Sequence, residues 1–503
     1  MSVPRTTPSP PDAVSLHRAA STSAPDAQTL DTQVPQIHVP DIPFWSRPIQ
    51  PVNMIGSIVV GPIMAALGAT ITAIILLGLA VIATLTVAPT WPDTPIPPGP
   101  LHPTVVPDPG PLYTFQLIIG VIAQTVAIGF GGTLRGDISM YSPYGASTGM
   151  SLVYRMPILI IPVITMLVVI GTNIVLNRTS RPTNQFAIVS SALLAGIFAM
   201  IGSSIAMWIF AIPFPPTSST VATNELRTGN YGAAAGVFLV VFAGTLIGQQ
   251  LGARKPLVPI PLMRDVCRGI GTALTHLVTL ALLGGSIVLI TLTWEIATHS
   301  GLANAAVFLL MSPWFGVTIA IWAAAVGMLA PVHGTLPGET QMFGTITSLD
   351  PWHWIPLLAA VFALALAAAA IRNATRFRQP EGTDVSRITR IGGWFVLPAA
   401  YGALALLALV ATRSRAWVDT GAIGQMLLGS QPQISFDIQL VAWGPLVFML
   451  WGGIVELLSR AIAPARTALR TRSRPPTPVL VIGASYLGLF TLVVAIGLIA
   501  AHW

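Results

Sequence analysis

The sequence predicts an all-α polytopic integral membrane protein: two parallel internal repeats of about five hydrophobic segments each, plus one extra C-terminal transmembrane helix. Three observations carry that prediction. Of 503 residues, 53% are apolar and only 8% charged, against roughly 25% charged in a soluble domain. The apolar residues gather into eleven runs, about 60–88, 112–132, 155–176, 186–210, 231–252, 269–294, 303–330, 354–371, 393–411, 438–458 and 479–500. Most are near the ~20 residues that a ~30 Å hydrocarbon core requires. Finally, a polar decapeptide in the first half returns in the second.

The same totals exclude other classes. A disordered chain is poor in apolar residues and rich in charge. The net charge is +7, with Lys255 the single lysine among 24 basic residues. The arginines sit in short loops rather than on a polar domain of the kind nucleic acid requires, so no nucleic-acid partner is expected. Cys267 is the only cysteine, which excludes an intrachain disulfide and a multi-cysteine metal site.

Residues 1–50 hold nine prolines and no apolar run. They read as a disordered Pro/Ser/Thr-rich cytoplasmic tail, without the apolar core of a cleaved secretory signal. The run over 55–88, punctuated by Pro62, reads as an interfacial approach followed by an uncleaved signal anchor. Residues 51–257 form membrane repeat 1 and 258–465 membrane repeat 2. A basic linker and the final transmembrane helix occupy 466–503.

Counting spans exposes a conflict. Loops 177–185, 253–268, 372–392 and 459–478 carry the basic residues and should face the cytoplasm, whereas 89–111 and 331–353 carry none and should face outward. If all eleven runs cross, these sides are inconsistent. They agree if 112–150 and 303–350 are re-entrant, each entering and returning on the outer side. Irregular backbone at that depth is tolerated only beside protein or a water-filled cavity. The expectation is nine full spans in a bacterial cytoplasmic membrane, with the N-terminus cytoplasmic and the C-terminus outside.

The repeat lies at the same two places. Gly132-Thr133-Leu134-Arg135-Gly136-Asp137-Ile138-Ser139-Met140-Tyr141 returns as Gly334-Thr335-Leu336-Pro337-Gly338-Glu339-Thr340-Gln341-Met342-Phe343, five of ten positions being identical at an offset of 202. Gly236 and Gly244 return as Gly444 and Gly452 at an offset of 208. Both halves start and end inside, so the copies are parallel, and such folds place sites at the repeat interface. Gly232, Gly236, Gly244, Gly248 and Gly252 form one ridge of the 231–252 helix, a helix-packing signal in lipid.

Candidate chemistry follows from the duplicated decapeptide. Asp137 and Glu339 occupy equivalent positions, and carboxylates at membrane depth are costly and usually functional. With Gly132, Thr133, Arg135, Tyr141, Gly334, Thr335 and Phe343 they are the substrate-path candidates. The competing reading is turn chemistry, with the carboxylate bonding nearby amides. Gly145-Ala146-Ser147-Thr148-Gly149 matches G-x-S-x-G, but that motif needs a strand–turn–helix; no catalytic residue is assigned. His333, Glu339, Asp350 and His353 have no defensible metal-ligand spacing, and no metal or cofactor is expected. Glu456 and Arg460 read as a helical i,i+4 pair, and His276, Gln124, Asn173 and Gln249 as helix–helix hydrogen bonders. Neither a P-loop nor a Rossmann pattern appears.

The segment Phe130 to Asp137, with its Gly-Gly and short polar stretch, is followed by a Pro-initiated span at Pro157. Together with Phe436-Asp437-Ile438-Gln439 through Gly452-Gly453 it resembles the actinobacterial streptophobe membrane proteins over most of 60–460. The long Pro-rich tail and the final helix depart from that pattern. The resemblance implies location and lineage, but no reaction. The leading functional expectation is a permease or channel-like protein for a small solute or lipid. The alternatives are a non-transporting envelope scaffold that binds a membrane-protein partner or a second copy, and an intramembrane hydrolase acting through Ser147.

Overall fold

The computed structural model describes residues 51–87, 110–141, 147–178, 185–212, 221–223, 226–252, 261–336, 339–343, 354–374, 387–419 and 433–470. The first half holds α1 (Pro51–Val87), α2 (Gly110–Gly129), β1 (Thr133–Tyr141), β2 (Ser147–Arg155), α3 (Ile160–Arg178), α4 (Gln185–Ile209), β3 (Val221–Thr223), β4 (Arg227–Gly229) and α5 (Asn230–Gly252). The second holds α6 (Pro261–Ser300), α7 (Leu302–Gly327), β5 (Val332–Leu336), β6 (Glu339–Phe343), α8 (Trp354–Ala374), α9 (Arg387–Ala411), β7 (Ser414–Asp419), β8 (Gln433–Leu440) and α10 (Gly444–Arg470). The order ααββααββα occurs twice. Among the described residues, eight helices are long and apolar enough to cross a membrane, and the chain is a multi-pass membrane protein. The tail 1–50 and the expected final span 479–500 lie outside the described residues.

Small and polar residues set the helix packing, because lipid supplies no hydrophobic force between helices. On α3 the buried stripe Thr165, Val169, Asn173 and Asn177 faces α5. A Cβ on Gly248 would stand 2.7 Å from the Asn173 Cβ, and one on Gly252 2.9 Å from that of Asn177. The two amides fold back along their own helix, donating to the carbonyls of Val169 (2.9 Å) and Asn173 (2.8 Å), which flattens the surface the glycines meet. Serine and threonine hydroxyls do likewise: Thr72 donates to the Gly68 carbonyl at 2.7 Å and Ser286 to that of Leu282 at 2.7 Å.

Similar residues are buried on the second-half helices at offsets of 200 to 208. Buried Gly61 and Ala65 on α1 correspond to buried Gly269 and Ala273 on α6, Asn173 to Asn373, and Gly196 and Ala199 on α4 to Gly402 and Ala405 on α9. The filling differs. Where α1 has Gly68, α6 has His276, whose Nδ1 is hydrogen-bonded to the Tyr401 hydroxyl in a pocket with Phe362. Asn373 donates to Glu456 at 2.9 Å, and Arg460 bonds the other Glu456 oxygen at 2.8 Å while its guanidinium stacks on Trp394.

The described residues are mainly helical, in line with the all-α expectation, and the strands are an addition to it. They form one eight-stranded sheet, ordered β3-β1-β2-β7-β8-β5-β6 with β4 also on β1. Both decapeptides lie in it, the first as β1 and the second as the β5–β6 hairpin. They are therefore extended strands. The physical reason is alternation. Leu134 and Tyr154 pack on the first-half core and Leu440 belongs to the second-half core, while the intervening Arg135, Arg155 and Asp437 take the other face. An antiparallel sheet with one apolar face can cap a bundle in this way.

Some strand pairings recur at similar offsets. The β1–β4 ladder pairs Thr133 with Gly229, and the β5–β8 ladder pairs Thr335 with Asp437, partners displaced by 202 and 208. The bridge Ile212–Leu226 becomes Val418–Ile434 in β7–β8, displaced by 206 and 208.

Candidate functional site: the seam between the halves

Among the described residues, two structures join the halves. One is the β2–β7 ladder, Ser151 to Arg155 against Asp419 to Arg415. The other is α7, which runs antiparallel along α6: Gly284 meets Ala323, Gly285 meets Ala320 and Gly316 meets Leu289. From α7 the Trp314 indole donates to the Leu76 carbonyl of α1 (3.1 Å) and Thr318 to the Pro157 carbonyl (3.2 Å). The helix stops at Met328, whose carbonyl accepts the Trp451 indole N–H at 2.8 Å, two turns into α10. Leu329 then takes a left-handed conformation (φ 62°), and the buried Ala330 leads into β5. Thus α7 descends into the bundle and its successor strand returns to the sheet. In the first half, Phe130, Gly131 (φ 91°) and Gly132 make the corresponding return after α2.

Gly132 and Gly236 have no room for a side chain: a Cβ on Gly132 would meet the Thr228 methyl and, at 2.7 Å, the Ala127 carbonyl, and one on Gly236 would meet the Phe130 carbonyl. A Cβ on Gly232 would stand 2.6 Å from the Gly131 carbonyl. The ridge of α5 is thereby occupied by α3 and by the 130–131 turn. Gly444 lies against Ala330, and Gly452 lies against Pro398 and Tyr401 of α9. The α2 helix is pinned by Gln124, which the sequence offered only as a generic hydrogen bonder. Its carbonyl accepts both the amide (2.8 Å) and the hydroxyl of Thr228, and its amide donates to Phe210 at 2.7 Å.

Thr133 pairs with Gly229, Arg135 with Arg227, Asp137 with Ser151, Tyr141 with Ser147, Gly334 with Ile438, Thr335 with Asp437, Glu339 with Leu336 and Phe343 with Val332. The side chains of Asp137, Tyr141, Thr335, Glu339 and Phe343 lie outside the described ones. The sheet does not bring the two decapeptides side by side. Between β1 and β5 stand β2, β7 and β8, a separation of roughly 19 Å at ~4.8 Å per strand. Ser147 opens β2 of a hairpin, not a strand–turn–helix.

What occupies the seam is arginine. Arg155 on β2 lies directly opposite Arg415 on β7, and Arg415 lies opposite Asp437 on β8. Arg413 bonds Asp437 at 3.1 Å. Arg155 donates through Nη2 to the Val410 carbonyl at 3.1 Å, and its Nε is buried without a hydrogen-bond partner. Burial, with the neighbouring Arg413 adding to it, pulls the guanidinium pKa below its usual value, and Asp437 opposes the shift. The signal was legible in principle: basic residues placed by alternation on strands, away from the loops that the charge rule claims. Among the described residues no cluster of three metal-ligating side chains occurs; Asp350 and His353 lie outside them.

Comparisons with protein-family models, curated proteins and solved structures find no match for this chain.

Proposed function

We propose that this membrane protein is a permease or channel-like protein for a small solute or lipid, with its path at the seam between two duplicated halves. The observation that carries the reading is α7, a 26-residue apolar helix between α6 and α1 that ends inside the bundle and leads back to the sheet. A helix entering and leaving on one side is a re-entrant element, and returning backbone at that depth needs protein or a water-filled cavity around it. The doubled element order and the matching registers favour gene duplication, and paired parallel repeats tend to hold sites at their interface.

In this reading the basic connections face the cytoplasm of a bacterial cell and the sheet faces outward. Cysteines introduced at Arg135 and Arg415, after replacement of Cys267, label with an impermeant reagent from the outside of intact cells; labelling from the inside only would overturn the orientation. Flux of small anions and of labelled lipid in proteoliposomes tests the activity itself. A scaffold role through the α5 ridge is disfavoured because those glycines already hold α3 and the 130–131 turn. Stable co-purification of a partner without flux would restore a scaffold role. Covalent serine probes that label Ser147 would favour the hydrolase.

A further inference from the structure

We infer that the polar face of the sheet at the seam is a binding site for a phosphate-bearing anion, held by Arg155 and Arg415 with Arg413 beside them. The first observation is the register. Residues directly opposite in an antiparallel pair have Cβ atoms about 4.5–5.5 Å apart, and like charges there repel. Here two such pairs share one face: Arg155 opposite Arg415 and, two residues further along on the adjoining strands, Arg135 opposite Arg227. A fold that merely tolerated surface arginine would have no need to stack it in this way. A tetrahedral oxyanion between two guanidinium forks converts the repulsion into paired, charge-assisted hydrogen bonds.

The second observation is the balance of charge. Asp437 is, among the described side chains, the carboxylate that faces the Arg155–Arg415 pair, and it is held by Arg413, so three described guanidinium groups stand around one described carboxylate. The pairing register puts Asp137 and Asp419 further out, at Ser151 on β2, four residues from Arg155. The third is the unused donor, since the Arg155 Nε is buried without a partner although Nη2 is engaged by the Val410 carbonyl. The fourth is position. Arg155 ends the strand before α3, and Arg413 and Arg415 follow directly on α9, so the cluster stands at the sheet end of those two helices. The sheet lies at the opposite end of α3 and α5 from Arg178 and Gly252, where the chain enters two of the basic connections, so the charge rule for cytoplasmic loops does not account for the cluster.

The inference deepens the proposed function by naming a ligand class for the same seam, and it rests on that reading only for the idea that the anion moves. Binding is therefore measured apart from flux. The full-length protein is placed in nanodiscs of phosphatidylcholine, with or without phosphatidylglycerol, and separately titrated with inorganic pyrophosphate; thermal unfolding reports occupancy. The parent should be stabilised by phosphatidylglycerol, pyrophosphate or both. Arg155→Gln/Arg415→Gln should raise the half-saturating concentration at least tenfold, and Arg178→Gln, at the far end of α3, should leave it unchanged. Loss confined to the lipid arm identifies a headgroup, and loss confined to pyrophosphate identifies a free phosphate compound. Should the double variant fail to fold, the exposed Arg415→Gln alone should weaken binding at least threefold. Equal binding by parent and variants, or none by the parent, overturns the site. Binding without flux overturns transport and leaves the site standing.

Discussion

At the scale of single residues, the bundle is decided by what glycine omits and what buried polar groups find. Gly248 and Gly78 are both helical glycines, yet a Cβ on Gly248 would meet the Asn173 Cβ and the Ile170 carbonyl, each at 2.7 Å, while one on Gly78 meets nothing within 4 Å. Gly248→Ala should therefore destabilise by about 1–3 kcal/mol, the usual cost of overpacking. Gly78→Ala should be neutral or stabilising by up to about 1 kcal/mol; thermal unfolding in detergent separates the two. Glu456 is 1% exposed and satisfied by Asn373 and Arg460. Removing Arg460 leaves a buried carboxylate without its counter-charge, so Arg460→Ala should cost about 3–5 kcal/mol. Arg460→Ala/Glu456→Gln should cost less than Arg460→Ala alone, and a double variant worse than the single would contradict that account.

At the scale of elements, each half has one helix that descends to a turn and hands over to a strand. Gln124 fastens the first of these to the 210 and 228 backbone. Gln124→Leu should free α2 while leaving α3–α5 packed, seen as faster proteolysis or hydrogen exchange in 110–129 with little loss of overall stability. Leu329 holds the second turn at φ 62°, a conformation that costs a non-glycine residue roughly 1 kcal/mol. Leu329→Gly should stabilise, whereas Leu329→Val should destabilise, as a β-branched side chain tolerates that region least; the same unfolding measurement reads both. The helices were legible because length and apolarity suffice to name them. The strands were hidden although Leu134, Ile138 and Met140 alternate with Arg135, Asp137 and Ser139, because glycines flank and interrupt that run and its polar residues suggested a turn.

At the scale of the molecule, two bodies of like design meet along β2–β7 and across α7. If those contacts suffice, a chain cleaved at a protease site engineered into 253–260 should remain associated in mild detergent. Introduced cysteines at the paired positions Val153 and Trp417 should then link the two fragments; separation on cleavage would refute the joint.

The sequence by itself determined the membrane class and most helix positions, since both depend on composition and on the length of apolar runs. It also singled out Asp137 and Glu339 as equivalent positions of the two decapeptides. Strand order put β2, β7 and β8 between the decapeptide strands β1 and β5 and brought Arg155 against Arg415. Pairing between strands some 260 residues apart is chosen by how two halves dock, and no local pattern in either half encodes that choice.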